Sequence, residues 1–533
     1  MTTSDYPALR LEPPRRARLR AAVAVGPVPV EVWVLGALIA LAAVIRIMTI
    51  DNQSFWTDEA LTAYETSVPF GAMLNTVAHV ETTPPLYFVL IWGWGKAFGT
   101  GEVALRSVST LAGIALVPLA YFSARELVSR RAGAIAAAFV AVNPFLIWYS
   151  QEARAYMLLA ALTGGSFLCF IRARREPSAR NLAWWTVFSA LAVMTHFFAG
   201  FAIAPEALWL LWIWRTRAVA IAVALVAVAQ AAMVPFALID TSHGPGWISA
   251  IPPIHRIEQL ALEWGVDLLT RRIGLVYGLI GGTIVLAAIA ALLLAGGDRQ
   301  IRHGAGVAAV IAACVFVIPL ALGVVGQDYF YVRNEIPAFV PLATVIAAAC
   351  VMPRGRVLGA TLALALLALF SYSTFTIQTT TNLQRPDWAS VARVLGPAPV
   401  PRAILAASGS NANPLKIYLP GVSWAQPHAR RVLIAEVDVV GVRRKLPVVS
   451  PGQNPNASAS SGGPSRREAP VPTSVAPPGT RLEGRFRVHN WVIAQFALRH
   501  PQRLSIRQLN RSAHGFFRRT PAALLIFMQR PQR

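Results

Sequence analysis

Long apolar runs, separated by short polar segments, fill the chain from residue 32 to residue 378. Most of them have roughly the 17–25 residues that an α-helix needs to cross the hydrocarbon core of a bilayer. The predicted membrane spans are 32–50, 107–127, 132–150, 153–171, 182–199, 200–214, 218–239, 273–295, 304–326, 335–352 and 356–378. This pattern predicts an all-α polytopic membrane bundle of about 11 transmembrane helices.

The arginine clusters between these runs predict how the bundle is oriented. Cytoplasmic loops of membrane proteins carry an excess of lysine and arginine. With a cytoplasmic N-terminus, the inner segments before residue 379 carry 18 basic residues and the outer segments carry eight. Counting 84–98 as a further span would reverse the later clusters, so this segment is predicted to lie in the membrane interface. The protein is therefore predicted in the plasma membrane, with its C-terminus outside the cytoplasm.

The composition excludes a small soluble enzyme, a disordered protein and a disulfide scaffold. Hydrophobic residues make up 55% of the chain and charged residues only 14%, which is far below the roughly one quarter of a soluble domain. The net charge of +23 is spread over short clusters between spans, so we expect the lipid bilayer rather than nucleic acid as the partner. All three cysteines fall inside apolar runs, where packing is their simplest role.

Three regions follow from these shifts in composition. Residues 1–31 form a basic cytoplasmic tail, and 32–378 form a transmembrane module whose first outer loop is 51–106. Residues 379–533 carry 22 basic and five acidic residues and are predicted to fold as a small extracytoplasmic α/β domain. Strands are predicted near 403–407, 431–437 and 522–528, while 491–498 is compatible with a helix. The Pro-, Ser- and Gly-rich segment 446–480 is predicted to be a disordered insert.

Two adjacent acids open the first outer loop, within residues 55–60 (FWTDEA). A carboxylate at the membrane rim, such as that of Asp58 or Glu59, can take a proton from a hydroxyl acceptor or bind a divalent metal. The alternative is a solvated helix start, because Thr57 followed by acids also makes a good helix N-terminus.

Further candidates lie in later outer segments. His79 and Glu81 precede a Pro-Pro pair, and no zinc spacing accompanies them. The short turn after residue 150 places Glu152, Arg154 and Tyr156 at the depth of the membrane, where charges usually pair or serve a site. The simplest structural alternative is a Glu152–Arg154 ion pair that pins this turn.

Two features complete the set of candidates. His196 lies at the outer end of a span, where it either lines a site or belongs to an aromatic belt. Arg333 lies among tyrosines just before a span. Its guanidinium can bind a phosphate with two hydrogen bonds or reach lipid headgroups instead.

The order of these motifs is more specific than any one of them. They follow one another as FWTDEA (55–60), HVETTPPLYF (79–88), ALRSVSTLAG (104–113), NPFLIWYSQEARAYML (143–158) and THFF (195–198). In this order the chain resembles bacterial membrane glycosyltransferases of the GT-C fold, within the protein-mannosyltransferase and aminoarabinose-transferase-like group (glycosyltransferase family 39-like). Residues 385–388 (RPDW) look like a less specific feature of the same group.

The resemblance implies a transferase that takes a mannose-like sugar, or another hexose or pentose, from a polyprenyl-phosphate donor. The acceptor hydroxyl would belong to a protein, a lipid or a glycan on the outer side of the membrane. Asp58 would then be the catalytic base with Glu59 as its neighbour, and His79, Glu152, Arg154 and Tyr156 would line the site. Metal dependence varies within the group, so a divalent metal stays open.

Two other classes of function compete with this hypothesis. A transporter or flippase of a lipid-linked or polar solute would use polar groups inside the membrane, and Glu206 beside Pro205 is the acid that favours it. However, the sequence shows no related halves of the kind that many transporters have. A non-catalytic envelope scaffold, whose basic domain binds an anionic polymer, is the third hypothesis.

Overall fold

The computed structural model describes residues 29–239, 248, 251–265, 275–295, 298–407, 412–423, 431–442, 479–488, 491–509 and 524–531. Most of the predicted cytoplasmic tail and nearly all of the predicted insert 446–480 lie outside these residues. The described residues form a helical bundle up to residue 379 and a small domain built on a β-sheet after it. The predicted fold class, an α-helical membrane bundle with a C-terminal α/β domain, is confirmed.

Helices make up almost all of the bundle. Their bounds are Val30–Ile47, Thr57–Ser67, Phe70–Val80, Leu86–Phe98, Glu102–Leu127, Arg130–Val142, Pro144–Ser150, Tyr156–Arg175, Ala179–Thr195, Gly200–Trp214, Arg217–Ala231, Val234–Ile239, Pro253–Gly265, Leu275–Ala295, Arg299–Val324, Phe339–Cys350 and Arg356–Thr379. The 3-10 helix Val332–Ala338 leads into Phe339–Cys350.

The number of helices fit to span a membrane is smaller than predicted. In the described part of the chain, eight are long and apolar enough, or nine if a bent pair counts as one span. The predicted spans 182–199 and 273–295 fall short by this measure. The first is the 17-residue helix Ala179–Thr195, and in the second only Gly282–Leu294 qualifies as a shorter apolar helix. A 17-residue helix is about 25 Å long, a little less than a hydrocarbon core of about 30 Å.

The bent pair is Arg130–Val142 and Pro144–Ser150, which meet at 57°. Asn143 between them has an extended backbone, and its side-chain oxygen accepts a hydrogen bond from the Leu146 N–H at 3.1 Å. Asn143 therefore caps the second helix, and Pro144 occupies the first-turn position that proline tolerates. The break therefore changes the direction of the chain within the predicted span 132–150.

The two ends of the bundle differ in character. Near one end, Arg130 pairs with Glu31 at 2.5 Å and Arg172 pairs with Glu126 at 2.6 Å. Glu126 is near the end of the 26-residue helix Glu102–Leu127, which is about 39 Å long, whereas the outer loop packs against its start. The arginine clusters predicted as cytoplasmic therefore lie at the opposite end of the bundle from the first outer loop.

The segment 51–106, which is predicted to be the first outer loop, contains three short helices, Thr57–Ser67, Phe70–Val80 and Leu86–Phe98. They share an apolar cluster that includes Phe55, Met73 and Tyr87. The last helix corresponds to the segment predicted to lie in the interface. With 13 residues it is about 20 Å long, which is too short to cross a bilayer.

In its described residues the C-terminal domain has the strands β1 (Arg402–Ala407), β2 (Arg431–Val442), β3 (Thr480–Val488), β4 (Trp491–Ser505) and β5 (Leu524–Gln529). They form one five-stranded sheet in the order β3-β4-β2-β1-β5. β1 runs parallel to β2, and the other neighbours are antiparallel. The helices Trp388–Leu395 and Leu415–Tyr418 pack against one face of the sheet.

The helix considered for 491–498 is wrong, because these residues belong to β4. Side chains of a strand alternate between the two faces of the sheet. Trp491 and Ile493 pack in the apolar cluster of Trp388, while Phe496 and Leu498 pack in the cluster on the other face. Both faces are buried here, so apolar residues follow one another closely and obscure the alternation that identifies a strand.

Candidate active site

The predicted acid pair lies in the first turn of the helix Thr57–Ser67. The helix starts after Trp56, whose backbone is extended and whose N–H donates a hydrogen bond to Oε2 of Glu59 at 3.3 Å. This back-bonding satisfies an N–H group at the helix start. Glu59 therefore helps to start this helix, as the alternative interpretation predicted.

Glu59 is completely buried and is bound from several directions. Arg106 donates to both of its carboxylate oxygens at 2.7 Å, and the Ala153 N–H donates to Oε1 at 2.9 Å. A guanidinium nitrogen of Arg385 lies 3.7 Å from Oε2. Burial by itself would raise the pKa of Glu59, but Arg106 and Arg385 outweigh it and hold the pKa below its usual value. Glu59 is thus an ionised anchor.

Arg106 shapes the loop that precedes the acid pair. Its Nη1 donates to the carbonyl oxygens of Ile50 and Gln53 at 2.9 and 2.6 Å, and its Nη2 donates to that of Ser54 at 3.1 Å. Sequence reasoning did not select Arg106 as a site residue. Its signal was present, because a charged residue close to the start of an apolar span usually has a partner or a function.

The second ion pair joins Arg154 to Glu81. Two parallel hydrogen bonds of 2.7 and 2.6 Å connect the guanidinium with the carboxylate, and the Arg154 guanidinium lies over the ring of Phe88 at 5.6 Å. The predicted Glu152–Arg154 alternative is wrong, because the pairing partner of Arg154 comes from the first outer loop. The pair therefore fixes that loop to the turn between two spans.

The third ion pair joins Glu152 to Arg385, which follows the last span. Nη2 of Arg385 donates to Glu152 Oε2 at 2.6 Å, and the guanidinium lies 4.5 Å from the ring centre of Trp148. Burial raises the pKa of Glu152 to about 7, with Arg385 opposing the rise. The RPDW segment drew attention to Arg385, but the sequence did not reveal that its partner is Glu152.

Asp58 and Arg333 face each other with more room. A guanidinium nitrogen of Arg333 lies 3.8 Å from Asp58 Oδ2. The side chain of Arg333 is 12% exposed and that of Asp58 is 31% exposed. The Arg333 guanidinium lies over the rings of Tyr156 and Tyr331 at 5.3 and 5.7 Å. These rings hold the cation in place while leaving it beside the partly open carboxylate.

The two predicted histidines have different positions. His196 is buried 5.8 Å from the ring of Tyr156, and its Nδ1 accepts a hydrogen bond from the Phe198 N–H at 3.3 Å. This bond assigns the proton of the neutral ring to Nε2. His79 is exposed, and its Nδ1 bonds to the Asn75 carbonyl oxygen of its own helix at 2.8 Å. The structure therefore gathers the other predicted site residues but leaves His79 outside the group.

The arrangement combines buried arginine–carboxylate pairs with one partly exposed pair. Three carboxylates are held by arginines in the interior, whereas the side chain of Asp58, beside Arg333, is partly exposed. Over the described ranges, no group of three or more His, Cys, Asp or Glu side chains is placed to hold a metal ion. The chemistry that these residues support is removal of a proton next to a bound anion.

Part of the chain is similar in sequence to a known protein family. Residues 82–239 match the family model described as dolichyl-phosphate-mannose-protein mannosyltransferase. No curated protein sequence matches.

Solved structures are similar to this chain at low sequence identity. ArnT from Cupriavidus metallidurans bound to undecaprenyl phosphate is 13% identical, with 86% of this chain and 97% of that chain covered and a TM-score of 0.50. ArnT in the apo state is 16% identical, covering 67% and 69% of the two chains, with a TM-score of 0.43. The S. cerevisiae protein O-mannosyltransferase Pmt1-Pmt2 complex is 20% identical, covering 43% and 35%, with a TM-score of 0.31.

The family match lies in the transmembrane module and includes one partner of each of the three buried ion pairs. The fold match with the first ArnT structure extends over most of both chains. Together they show that this chain is a multi-pass membrane protein with the GT-C fold of the ArnT structure, and that part of its transmembrane module is similar in sequence to protein mannosyltransferases.

Proposed function

We propose that Asp58 is the general base that activates an acceptor hydroxyl of a protein, lipid or glycan. In the reaction the acceptor oxygen bonds to the anomeric carbon of a mannose-like sugar, or of another hexose or pentose. The bond from that carbon to the phosphate oxygen breaks, the polyprenyl phosphate leaves, and Asp58 takes the acceptor proton. Glu59, which the sequence placed beside Asp58 as a second catalytic residue, acts here as its buried anchor.

The observation that carries this proposal is the contrast in exposure among the carboxylates. The side chain of Asp58 is 31% exposed, whereas those of Glu59, Glu81 and Glu152 are 0%, 3% and 1% exposed. Each of the three buried acids accepts short hydrogen bonds from an arginine. Asp58 is therefore the acid of this group that an acceptor can approach.

The donor phosphate fits best against Arg333. When the sugar leaves, negative charge grows on the phosphate, and a fixed cation at that point stabilises the transition state. The guanidinium of Arg154 already binds both oxygens of Glu81, whereas that of Arg333 lies 3.8 Å from the proposed base Asp58. Tyr156 and His196 would then line the sugar side of the site, because the Arg333 guanidinium lies over the Tyr156 ring and the His196 ring lies 5.8 Å from that of Tyr156.

The site is proposed to face the outside of the plasma membrane, with the N-terminus in the cytoplasm. The arginine clusters near Glu31 and Glu126 lie at the opposite end of the bundle, which the positive-inside rule places in the cytoplasm. The structure of ArnT bound to undecaprenyl phosphate supports a lipid-linked donor for a protein of this fold.

No observation on the residues that the structure describes favours the transporter alternative. Glu206, the acid on which it rested, is buried and accepts hydrogen bonds from the Ser166 hydroxyl at 2.6 Å and the Trp185 Nε1–H at 2.9 Å. It therefore lies in a packed contact between helices and not beside an open path.

The test compares three variants of the purified full-length protein in detergent or vesicles. The donor is a labelled polyprenyl-phosphate sugar, and label transfer is measured. Asp58→Asn is expected to lower the transfer rate by about 10²–10⁴, the usual contribution of a general base. Asp51→Asn is the matched control, because Asp51 is exposed on the same loop. The transfer rate of this variant should stay at the wild-type level.

Glu59→Gln separates anchoring from catalysis. Removing one charge from a buried ion pair costs about 3–5 kcal/mol of folding free energy, so this variant should yield less folded protein. Asp58→Asn should fold normally and fail to transfer. Wild-type turnover by Asp58→Asn would exclude Asp58 as the base.

A further inference from the structure

The C-terminal domain contacts the catalytic loop through the side chain of Tyr418. Its hydroxyl accepts a hydrogen bond from the Phe55 N–H at 2.7 Å and donates one to Glu102. Phe55 lies three residues before Asp58, and Glu102 begins the helix that carries Arg106. One hydroxyl thus joins the domain, the catalytic loop and a spanning helix.

We propose that Tyr418 is a positioning residue for sugar transfer, and that the C-terminal domain is part of the active site through it. The proposal rests on the function proposed above for Asp58. Tyr418 does not touch the reacting atoms. It acts by fixing the backbone from which the helix of Asp58 starts.

The ring of Phe55 connects Tyr418 with the ion pair of Arg106 and Glu59. Phe55 is 1% exposed, with the Tyr418 ring 6.2 Å away and the Arg106 guanidinium 5.4 Å from its ring centre. Arg106 in turn holds Glu59, the residue after Asp58. Both the backbone and the side chain of Phe55 are therefore held between the domain and the buried arginine.

The same domain binds the two residues before Phe55. Gln53 Oε1 accepts from the Arg385 N–H at 2.8 Å. The Ser54 hydroxyl donates to the Pro386 carbonyl at 2.9 Å and accepts from the Trp388 N–H at 2.9 Å. Trp388 begins the helix that packs on the sheet. Three consecutive loop residues thus bond to the chain that follows the last span.

The hydroxyl of Tyr418 can serve both bonds at once because it remains protonated. Burial, and then the charge of Glu102, raise the pKa of Tyr418 well above its usual value. A protonated hydroxyl accepts from an N–H group and donates to a carboxylate at the same time. A phenylalanine at this position keeps the ring and loses both bonds.

The experiment uses the full-length protein and changes one hydroxyl. Tyr418→Phe is compared with Tyr372→Phe, which removes the same group from a side chain that is 59% exposed on the last span. We expect Tyr418→Phe to lower kcat about tenfold, within the loss that a small misplacement of a catalytic group produces. The KM for the donor should change less than twofold, and Tyr372→Phe should match the wild type.

Two further readouts distinguish positioning from a merely structural role. Hydrogen exchange of the backbone around Phe55 should become faster in Tyr418→Phe, while exchange in the helix Tyr156–Arg175 should stay as in the wild type. Glu102→Gln keeps an oxygen that accepts from the Tyr418 hydroxyl, so this conservative variant should retain most of kcat.

Unchanged kcat in Tyr418→Phe would overturn the proposal, as would a loss of folded protein with kcat per folded molecule unaltered. Asp58→Asn is measured alongside. If Asp58→Asn transfers sugar normally, the proposed function fails regardless of Tyr418. If Asp58→Asn is inactive and Tyr418→Phe is fully active, the failure belongs to the positioning proposal.

Discussion

Buried arginines hold the candidate site together at the level of single residues. Arg106, Arg154 and Arg385 each bind a carboxylate at 2.6–2.7 Å, and all six side chains are nearly or completely buried. Arginine suits this task because its planar fork makes two parallel bonds and keeps its charge when buried. Such pairs add little net stability compared with apolar packing, but they fix which segments meet, because an unpaired partner is costly.

Glu65 is a buried acid of a different kind, and it predicts a dependence of stability on pH. It is 0% exposed, and neither carboxyl oxygen has a hydrogen-bond partner among the residues that the structure describes. Burial, together with the nearby charge of Glu81, raises its pKa to about 9, while Arg154 opposes the rise. The folded state therefore holds this proton at pH values where the unfolded chain, with a pKa of 4.5, has lost it.

The sign of this pH dependence follows from the number of protons that the folded and unfolded states bind. Because the folded state binds more protons, the stability from Glu65 is fully present below about pH 4.5 and is lost as the pH rises toward 9. Glu65→Gln imitates the neutral acid, so its melting temperature should exceed that of the wild type more at pH 8.5 than at pH 5. Glu176→Gln, at an exposed position, should show a constant difference. A constant difference for Glu65→Gln as well would contradict the prediction.

At the scale of elements, close helix contacts depend on glycine. A Cβ atom added at Gly304 would lie 2.2 Å from the carbonyl oxygen of Leu127, which belongs to the backbone and cannot rotate away. The helix Arg299–Val324 therefore meets the end of Glu102–Leu127 at a distance that only glycine permits.

Gly304→Ala is expected to destabilise the bundle by about 1–3 kcal/mol, the usual cost of overpacking. Gly306→Ala is the control, since a Cβ at that position in the same helix meets nothing within 4 Å. It should be neutral or slightly stabilising, because alanine favours the helix over glycine. The measurement is the thermal midpoint in detergent. Equal midpoints for the two variants would show that the helices separate easily at this contact.

The orientation of the whole molecule gives a prediction about its two faces. The site and the C-terminal domain lie at one end, joined by Tyr418, and the arginine clusters lie at the other. A reporter enzyme that is active only outside the cytoplasm should therefore work when fused after residue 531. The same reporter inserted directly after Glu176 should be inactive. Activity of the second fusion would reverse the proposed topology.

The amino-acid sequence by itself determined the membrane bundle, the acid pair at its rim and the order of motifs typical of GT-C glycosyltransferases. These features depend on local properties, namely the length of apolar runs and the residues next to them. The same reasoning predicted β1, β2 and β5 from short alternating apolar stretches. It missed β3, and it also missed β4, because a strand buried on both faces loses its alternating pattern.

Only the tertiary structure decided which charges meet. Arg154 has Glu152 two residues away but binds Glu81, and Arg385 reaches across more than 200 residues of chain to Glu152. Spacing in the sequence cannot reveal such partners, because a buried charge pairs with whatever opposite charge the packed helices bring within reach. For the same reason the fold, and not the pattern, separated Asp58 at the surface from Glu59 in the interior.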